Sequence, residues 1–284
     1  MPIFPRRRKP GAKKLSRLSK LGRPKFDASG KPVPRRGIYL LPNALTTAAL
    51  FCGFYAIVMA MNQRFEHATW AIFIAMVLDG LDGRVARLTN TQSEFGAQYD
   101  SLSDMVSFGA APALVMYEWS LRGLGKLGWI AAFVYCAGAA LRLARFNTNI
   151  EVVDKRFFQG LPSPAAAALV AGFILMMGDL DINGMAMPWV SWAIALFAGL
   201  TMVTNVPFYS FKDVNFRKSV PFIAVFLIAL GFALVSIDPP KVLWPIFVVY
   251  GVSGYAVYFW RLAKGKPVSI VQIDHEPVDQ SERL

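Results

Sequence analysis

Residues 79–104 read DGLDGRVARLTNTQSEFGAQYDSLSD, which puts four aspartates and two arginines in the middle of a strongly apolar chain. Asp79, Asp82, Gly83, Ala86 and Arg87 fall at i, i+3, i+4, i+7 and i+8, so a helix presents them on one face. Gly96, Asp100 and Asp104 recur every fourth residue and line one face of a second helix. The residues between, roughly 89–97, make a short turn. The spacing therefore predicts two adjacent antiparallel helices with their acids opposed.

The surrounding composition sets the medium in which these acids sit. The 284 residues are 55% hydrophobic and 17% charged, whereas soluble domains carry roughly 25% charged residues and disordered chains are far less apolar. Both of those classes are excluded. Cys52 and Cys136 lie in apolar runs and are too few for a disulfide framework, and His67 and His275 have no neighbouring ligand for zinc. Stretches able to cross a bilayer recur at about 39–61, 66–88, 98–120, 127–146, 163–179, 188–210, 219–237 and 242–262. The chain reads as an all-α polytopic membrane protein with about eight transmembrane helices. Its organisation is a basic tail at 1–38, a membrane domain at 39–262 and a polar C-terminal tail at 263–284.

Residues 1–36 hold thirteen Lys/Arg and one acid, Asp27, which equals the formal charge of +12 for the whole chain and leaves the body neutral. They contain no apolar core of the length a secretory signal needs, so the tail is expected to stay attached. Ahead of membrane spans, such a tail faces anionic headgroups rather than nucleic acid. With eight spans both termini share one side. Placing them in the cytosol leaves only Arg64, Arg122, Lys126 and Lys241 outside. The inner side gains Lys155, Arg156, Lys212, Arg217, Lys218, Lys264 and Lys266, as the positive-inside rule requires.

Intramembrane charge is costly and demands a partner. Counting back from the turn at about 1.5 Å per residue, the acids lie within about 15 Å of the cytosolic helix ends. Facing carboxylates repel unless a cation intervenes. Oxygen-only ligands suit hard divalent ions, Mg2+ or Mn2+, and four carboxylates can hold two of them. A two-metal site clamps the attacking and leaving oxygens of a displacement at phosphorus. Gly83, Ala86 and Gly96 leave room beside the metals, and Arg87 offers a fork for phosphate. The competing reading pairs the acids with Arg84, Arg87 and Arg142 inside the bundle.

Read from Asp79, the pattern is D-x-x-D-G-x-x-A-R-x8-G-x3-D-x3-D. It resembles the signature of the CDP-alcohol phosphatidyltransferases, integral membrane enzymes that displace CMP from a CDP-linked lipid or alcohol. The resemblance implies a helical core of six spans, a homodimer and a site open to the cytosol. It also implies that Asp79, Asp82 and Asp100 bind divalent metal, and that Asp104 shares in metal binding and acts as general base. PNALTT at 42–47, LRLARFN at 141–147 and GLPSPAAA at 160–167 are similar to the bacterial integral branch that uses CDP-diacylglycerol and L-serine in the cytoplasmic membrane. Eight spans also suit that branch.

Asn43 has two open roles, a hydrogen bond to the nucleotide, as the resemblance implies, or a helix cap. Arg142 and Arg145 lie one turn apart at the cytosolic end of the fourth span, followed by Asn147. A fork there suits the carboxylate of serine, but an acceptor phosphate could use it too, so glycerol 3-phosphate and inositol stay as alternative acceptors. Pro162 and Pro164 flank Ser163 and are expected to fix the entry turn of the fifth span. Trp70, Trp119, Trp189, Trp192, Trp244 and Trp260 are expected as interfacial anchors. A rival from another class is an ion or proton transporter, which would need a path to both faces.

Removing residues 1–30 should lower activity on anionic vesicles at low salt and hardly at high salt, because headgroup attraction is screened. Activity titrated against salt, with and without the tail, checks this.

Overall fold

The computed structural model describes residues 25–26, 32–33, 40–148, 157–210 and 222–265. Helices occupy all eight expected stretches: α1 (Leu40–Met61), α2 (Phe65–Leu88), α3 (Glu94–Asp104) running through a π-helical turn at Met105–Ala110 into α4 (Ala111–Trp119), α5 (Lys126–Thr148), α6 (Ser163–Asp179), α7 (Pro188–Val203), α8 (Phe222–Ile237) and α9 (Pro239–Ala263). By length and composition α1, α5 and α9 are each apolar enough to cross a membrane, and α6 and α7 are shorter apolar helices. The protein is an all-α membrane protein. Most of the basic tail and of the C-terminal tail lies outside the described residues, as do Lys155, Arg156, Lys212, Asp213, Arg217, Lys218 and Lys266.

Local chemistry sets the helix ends. Gln63 takes a left-handed φ of 60° in the tight α1–α2 connection. Ser93 caps α3 by accepting from the Gly96 N–H at 3.0 Å, so that helix starts at Glu94, earlier than the expected 98. Pro188 opens α7, and Asp238 caps α9 by accepting from the Lys241 N–H. The Lys241 ammonium reaches Asp238 and Asp179, each at 2.7 Å. Its hydrogen bond holds the Asp238 carboxyl below the usual range.

The centre of the bundle is α6. Ser163, Ala165–Leu175 and Met177 are all buried, as expected of a helix apolar on every side. It packs against α2, α4, α7, α9 and the π turn. The α1–α2 pair covers one flank and the α5–α7 pair the other. The α5–α7 crossing is closed by glycines: a methyl on Gly138 would overlap the Gly199 carbonyl, and one on Gly199 would meet the Tyr135 backbone at 2.7 Å.

Three expectations are corrected here. The sixth span does not run to 210. Helix α7 stops at Val203, and Pro207–Tyr209 (β4) instead pairs antiparallel with Phe157–Gln159 (β3). Proline at 207 and the carbonyl partners described below end the helix. The third span is not one regular helix, because the π turn adds a residue in mid-span. Trp119 is no interfacial anchor: it is 6% exposed, with its ring edge-on to Phe173. Lys25–Phe26 (β1) and Pro32–Val33 (β2) form a second short antiparallel pair.

Replacing Gly138 with Val should lower stability by about 1–3 kcal/mol through overpacking. Gly80→Ala, where nothing lies within 4 Å of the new methyl, should raise it by about 0.5–1 kcal/mol. Thermal unfolding in detergent separates the two.

Candidate active site

The predicted hairpin forms, and it brings the acids together. Carboxylate oxygens of Asp79 and Asp82 on α2 and of Asp100 on α3 all lie within 4.8 Å of one another. Asp104 closes α3 where the π turn begins, with its carboxyl against that of Asp79. Charged pairs at that separation repel by about 3 kcal/mol or more each at an effective dielectric constant near 20. The Arg84, Arg87 and Arg142 pairing is not formed. Among the described residues the ion pairs are Arg122–Glu118, Lys241–Asp179 and Lys241–Asp238. Asp100 Oδ1 is buried with no hydrogen-bond partner. Clustered carboxylates, oxygen-only donors and an orphaned buried oxygen fit a hard divalent cation.

Helix α1 holds the cluster from behind. The Thr46 hydroxyl lies 2.5 Å from Asp82 Oδ2 and fixes the orientation of that carboxylate. Ser103 and Ser107 donate to the Thr46 and Ala49 carbonyls of α1, each at 3.1 Å. Gly53 gives Ser107 its space, since a methyl there would come within 2.5 Å of the serine oxygen. Across the π turn, buried Tyr135 of α5 donates to the Phe108 carbonyl at 3.1 Å. The turn is thus gripped from both sides at the residues that follow Asp104.

Small residues flank the acids on both helices. A methyl added at Gly83 would meet only Arg87 Nη1, at 3.9 Å. At Gly96 it would lie 3.1 Å from Ser93 Oγ and 3.7 Å from Asn43 Oδ1, so Asn43 of α1 stands opposite Gly96 of α3. Asn43 lies inside α1 rather than at its cap, which removes the capping reading. Arg87 is exposed and Ala86 half-buried along the same face.

The two arginines of α5 have different surroundings. Arg142 is 8% exposed, close enough to Asp79 and Asp104 to interact with their charges, and its Nη1 donates to Ser163 Oγ at 2.5 Å. Arg145 donates instead to the Gln159, Met202, Val203 and Thr204 carbonyls and to Asn205 Oδ1, at 3.0–3.2 Å. The expected free fork at Arg145 is therefore corrected: it caps the C-terminal carbonyls of α7 and ties them to β3. Asn147 Nδ2 donates to Ser101 Oγ at 3.0 Å, next to Asp100.

Sequence reasoning does not anticipate the contacts of Thr46 with Asp82 and of Ser163 with Arg142, although both residues lie in the PNALTT and GLPSPAAA segments. Thr46 stands one turn after Asn43 and so shares its face, which was the available signal. Ser163 gave none beyond its flanking prolines.

Thr46→Val keeps shape but removes the hydroxyl from Asp82, and should weaken divalent-cation affinity about ten- to a hundredfold. Thr46→Ser should restore it. A Mn2+ titration of the purified protein followed by electron paramagnetic resonance reads the effect without turnover.

Comparison with known sequences adds an independent finding. The profile of the family described as CDP-alcohol phosphatidyltransferase matches residues 39–203, which run from α1 to the end of α7 and include Asp79, Asp82, Asp100 and Asp104. A Helicobacter pylori protein named CDP-diacylglycerol–serine O-phosphatidyltransferase is 33% identical over 220 residues, covering 78% of this chain and 92% of the relative. A Mycobacterium tuberculosis protein of that name is 32% identical over 228 residues, covering 78% and 79%. One from Methanocaldococcus jannaschii is 35% identical over 185 residues, covering 65% and 82%. The chain is a membrane transferase that belongs to the CDP-alcohol phosphatidyltransferase family.

Proposed function

We propose that the protein transfers the phosphatidyl group of CDP-diacylglycerol to L-serine, giving phosphatidylserine and CMP. The observation that carries the reading is a tight carboxylate group beside a buried arginine that, among the described residues, forms no ion pair. The relatives' shared name supports the acceptor.

Asp79, Asp82 and Asp100, with Asp104 adjoining, would hold two divalent cations, Mg2+ or Mn2+. Bound there, the cations supply neutralisation of the pyrophosphate charge. Arg87 binds phosphate oxygens from the open side of α2, while Asn43 and Gly96 accommodate the nucleotide and Gly83 and Ala86 leave it room. Arg142 and Asn147 orient serine from α5, and Arg145 serves as a positioning residue through its hold on α7 and β3. Asp104 accepts the serine hydroxyl proton. The serine oxygen forms its bond to the β-phosphorus as the bond from that phosphorus to CMP breaks, and the electron pair leaves with CMP. The acyl chains stay in the bilayer throughout.

In this reading the site and both termini face the cytosol of a bacterium across its inner membrane. The enzyme is a homodimer, the basic tail contacts anionic lipid, and nucleic acid is not a partner.

Asp104→Asn should cut turnover about a hundred- to ten-thousandfold, because it keeps size but removes the proton acceptor. Asp79→Asn should instead raise the metal concentration needed and be partly rescued by adding metal. CMP release from CDP-diacylglycerol in nanodiscs, with a panel of hydroxyl acceptors, tests both. Near-native turnover by Asp104→Asn at saturating metal would remove Asp104 as the base.

A further inference from the structure

A second polar site lies at the end of the bundle opposite the carboxylates. A cavity of about 710 Å³ opens there between the start of α2, the C-terminal end of α6 and the start of α9. From Arg64, at the mouth of the cavity, to Asp79 the chain climbs about 22 Å along α2.

The two sides of this cavity carry opposite charge. Arg64 precedes α2, whose start has no side-chain cap, so an anion there meets a guanidinium and the positive end of a 24-residue helix together. Across the cavity, Gly178 and Asp179 close α6 with the negative end of its dipole. Asp179 and Asp238 share Lys241, which leaves that trio with one net negative charge, and Glu66 adds another from the first turn of α2. Among the described residues the side chains of Arg64, Glu66 and His67 make no hydrogen bond or ion pair. Trp119 also lines the cavity. It is 6% exposed, and its indole N–H has no hydrogen-bond partner among the described residues, whereas a buried indole N–H ordinarily finds one.

The cavity continues into an apolar groove. Glu66, His67 and Trp70 line both the cavity and a groove of about 360 Å³ between α1 and α2, which Phe51, Tyr55 and Ile74 carry onward. From His67 to Ile74 the groove follows α2 for about 10 Å toward the acids. Phe51 and Ile74 are more than half exposed, so the groove opens sideways to the bilayer. A charged cavity that runs into an apolar groove along the helices has the layout of a phospholipid, headgroup first and acyl chain behind.

We infer that this end of the bundle binds a zwitterionic phospholipid with a primary ammonium group. Its phosphate sits at Arg64 and the start of α2, its ammonium between Glu66 and the end of α6, and one acyl chain in the α1–α2 groove. The site is separate from the transferase centre and does not depend on which acceptor that centre uses. An acyl chain gains little by exchanging lipid neighbours for apolar side chains, so the headgroup decides occupancy. A headgroup with phosphate alone would leave Glu66 and the Asp179 trio facing an anion, and a quaternary ammonium offers a carboxylate no N–H.

The test titrates the full chain, delipidated in detergent, with phosphatidylethanolamine, phosphatidylglycerol and phosphatidylcholine of identical acyl chains. Native mass spectrometry counts the bound lipid. Phosphatidylethanolamine should bind about tenfold or more tightly than either of the others, the gain expected of one charge-assisted hydrogen bond. Saturating CDP-diacylglycerol should leave it bound, because that substrate belongs at the other end of α2. Glu66→Gln should bring phosphatidylethanolamine and phosphatidylcholine within about threefold of each other. Gly178→Leu should cut phosphatidylethanolamine binding about tenfold by filling the cavity, since nothing lies within 4 Å of a methyl placed there. Equal binding of the three lipids by the wild type would overturn the site, as would a preference for phosphatidylglycerol or displacement by CDP-diacylglycerol. So would a preference that survives Glu66→Gln, or wild-type binding by Gly178→Leu. Serine transfer would stand in every one of those cases.

Discussion

Carboxylates held within 4.8 Å of one another in a membrane-embedded bundle impose a constraint that the neighbouring elements answer. The carboxylates are partly buried, so their repulsion must be met by protein donors or by cations. Helix α1 contributes one hydroxyl, Thr46, and takes up the hydroxyls of Ser103 and Ser107 through its own carbonyls. Helix α5 contributes Arg142, near enough for long-range attraction without direct pairing. Among the described residues no basic side chain pairs directly with these carboxylates, which leaves their oxygens to a cation.

The π turn at Met105–Ala110 reconciles two demands on one span. Its first half must aim acids at α2, while its second half must bury Ala111, Ala113, Val115 and Met116 in the core. A regular helix fixes the angle between those faces; one added residue rotates it. The Tyr135 and Ser107 hydrogen bonds hold the altered register in place.

The acids were legible because carboxylates stand out against apolar sequence and because their spacing has a single helical reading. Helix positions were legible for a similar reason. What escaped depends on the partner rather than on the segment. Arg142 and Arg145 are three residues apart and chemically alike, yet one meets Ser163 and the other meets the end of α7, a difference set by where α6 and α7 lie. The β3–β4 pair is likewise non-local, joining residues about fifty apart in the chain. Trp119 showed the right residue at the right depth, but the face it occupies is decided by Phe173 on another helix.

The Thr46–Asp82 contact also bears on how the chain enters the membrane. Helix α2 carries Asp79, Asp82, Arg84 and Arg87 and is not among the helices apolar enough to cross by composition. At a translocon each central charge adds about 2.5–3.5 kcal/mol to partitioning. The nascent chain delivers α1 ahead of α2, an uncharged helix long and apolar enough by composition to cross. When the charged hairpin follows, a hydroxyl for Asp82 and carbonyls for Ser103 and Ser107 are already waiting in the bilayer. The order of residues along the chain is therefore also an order of membrane entry.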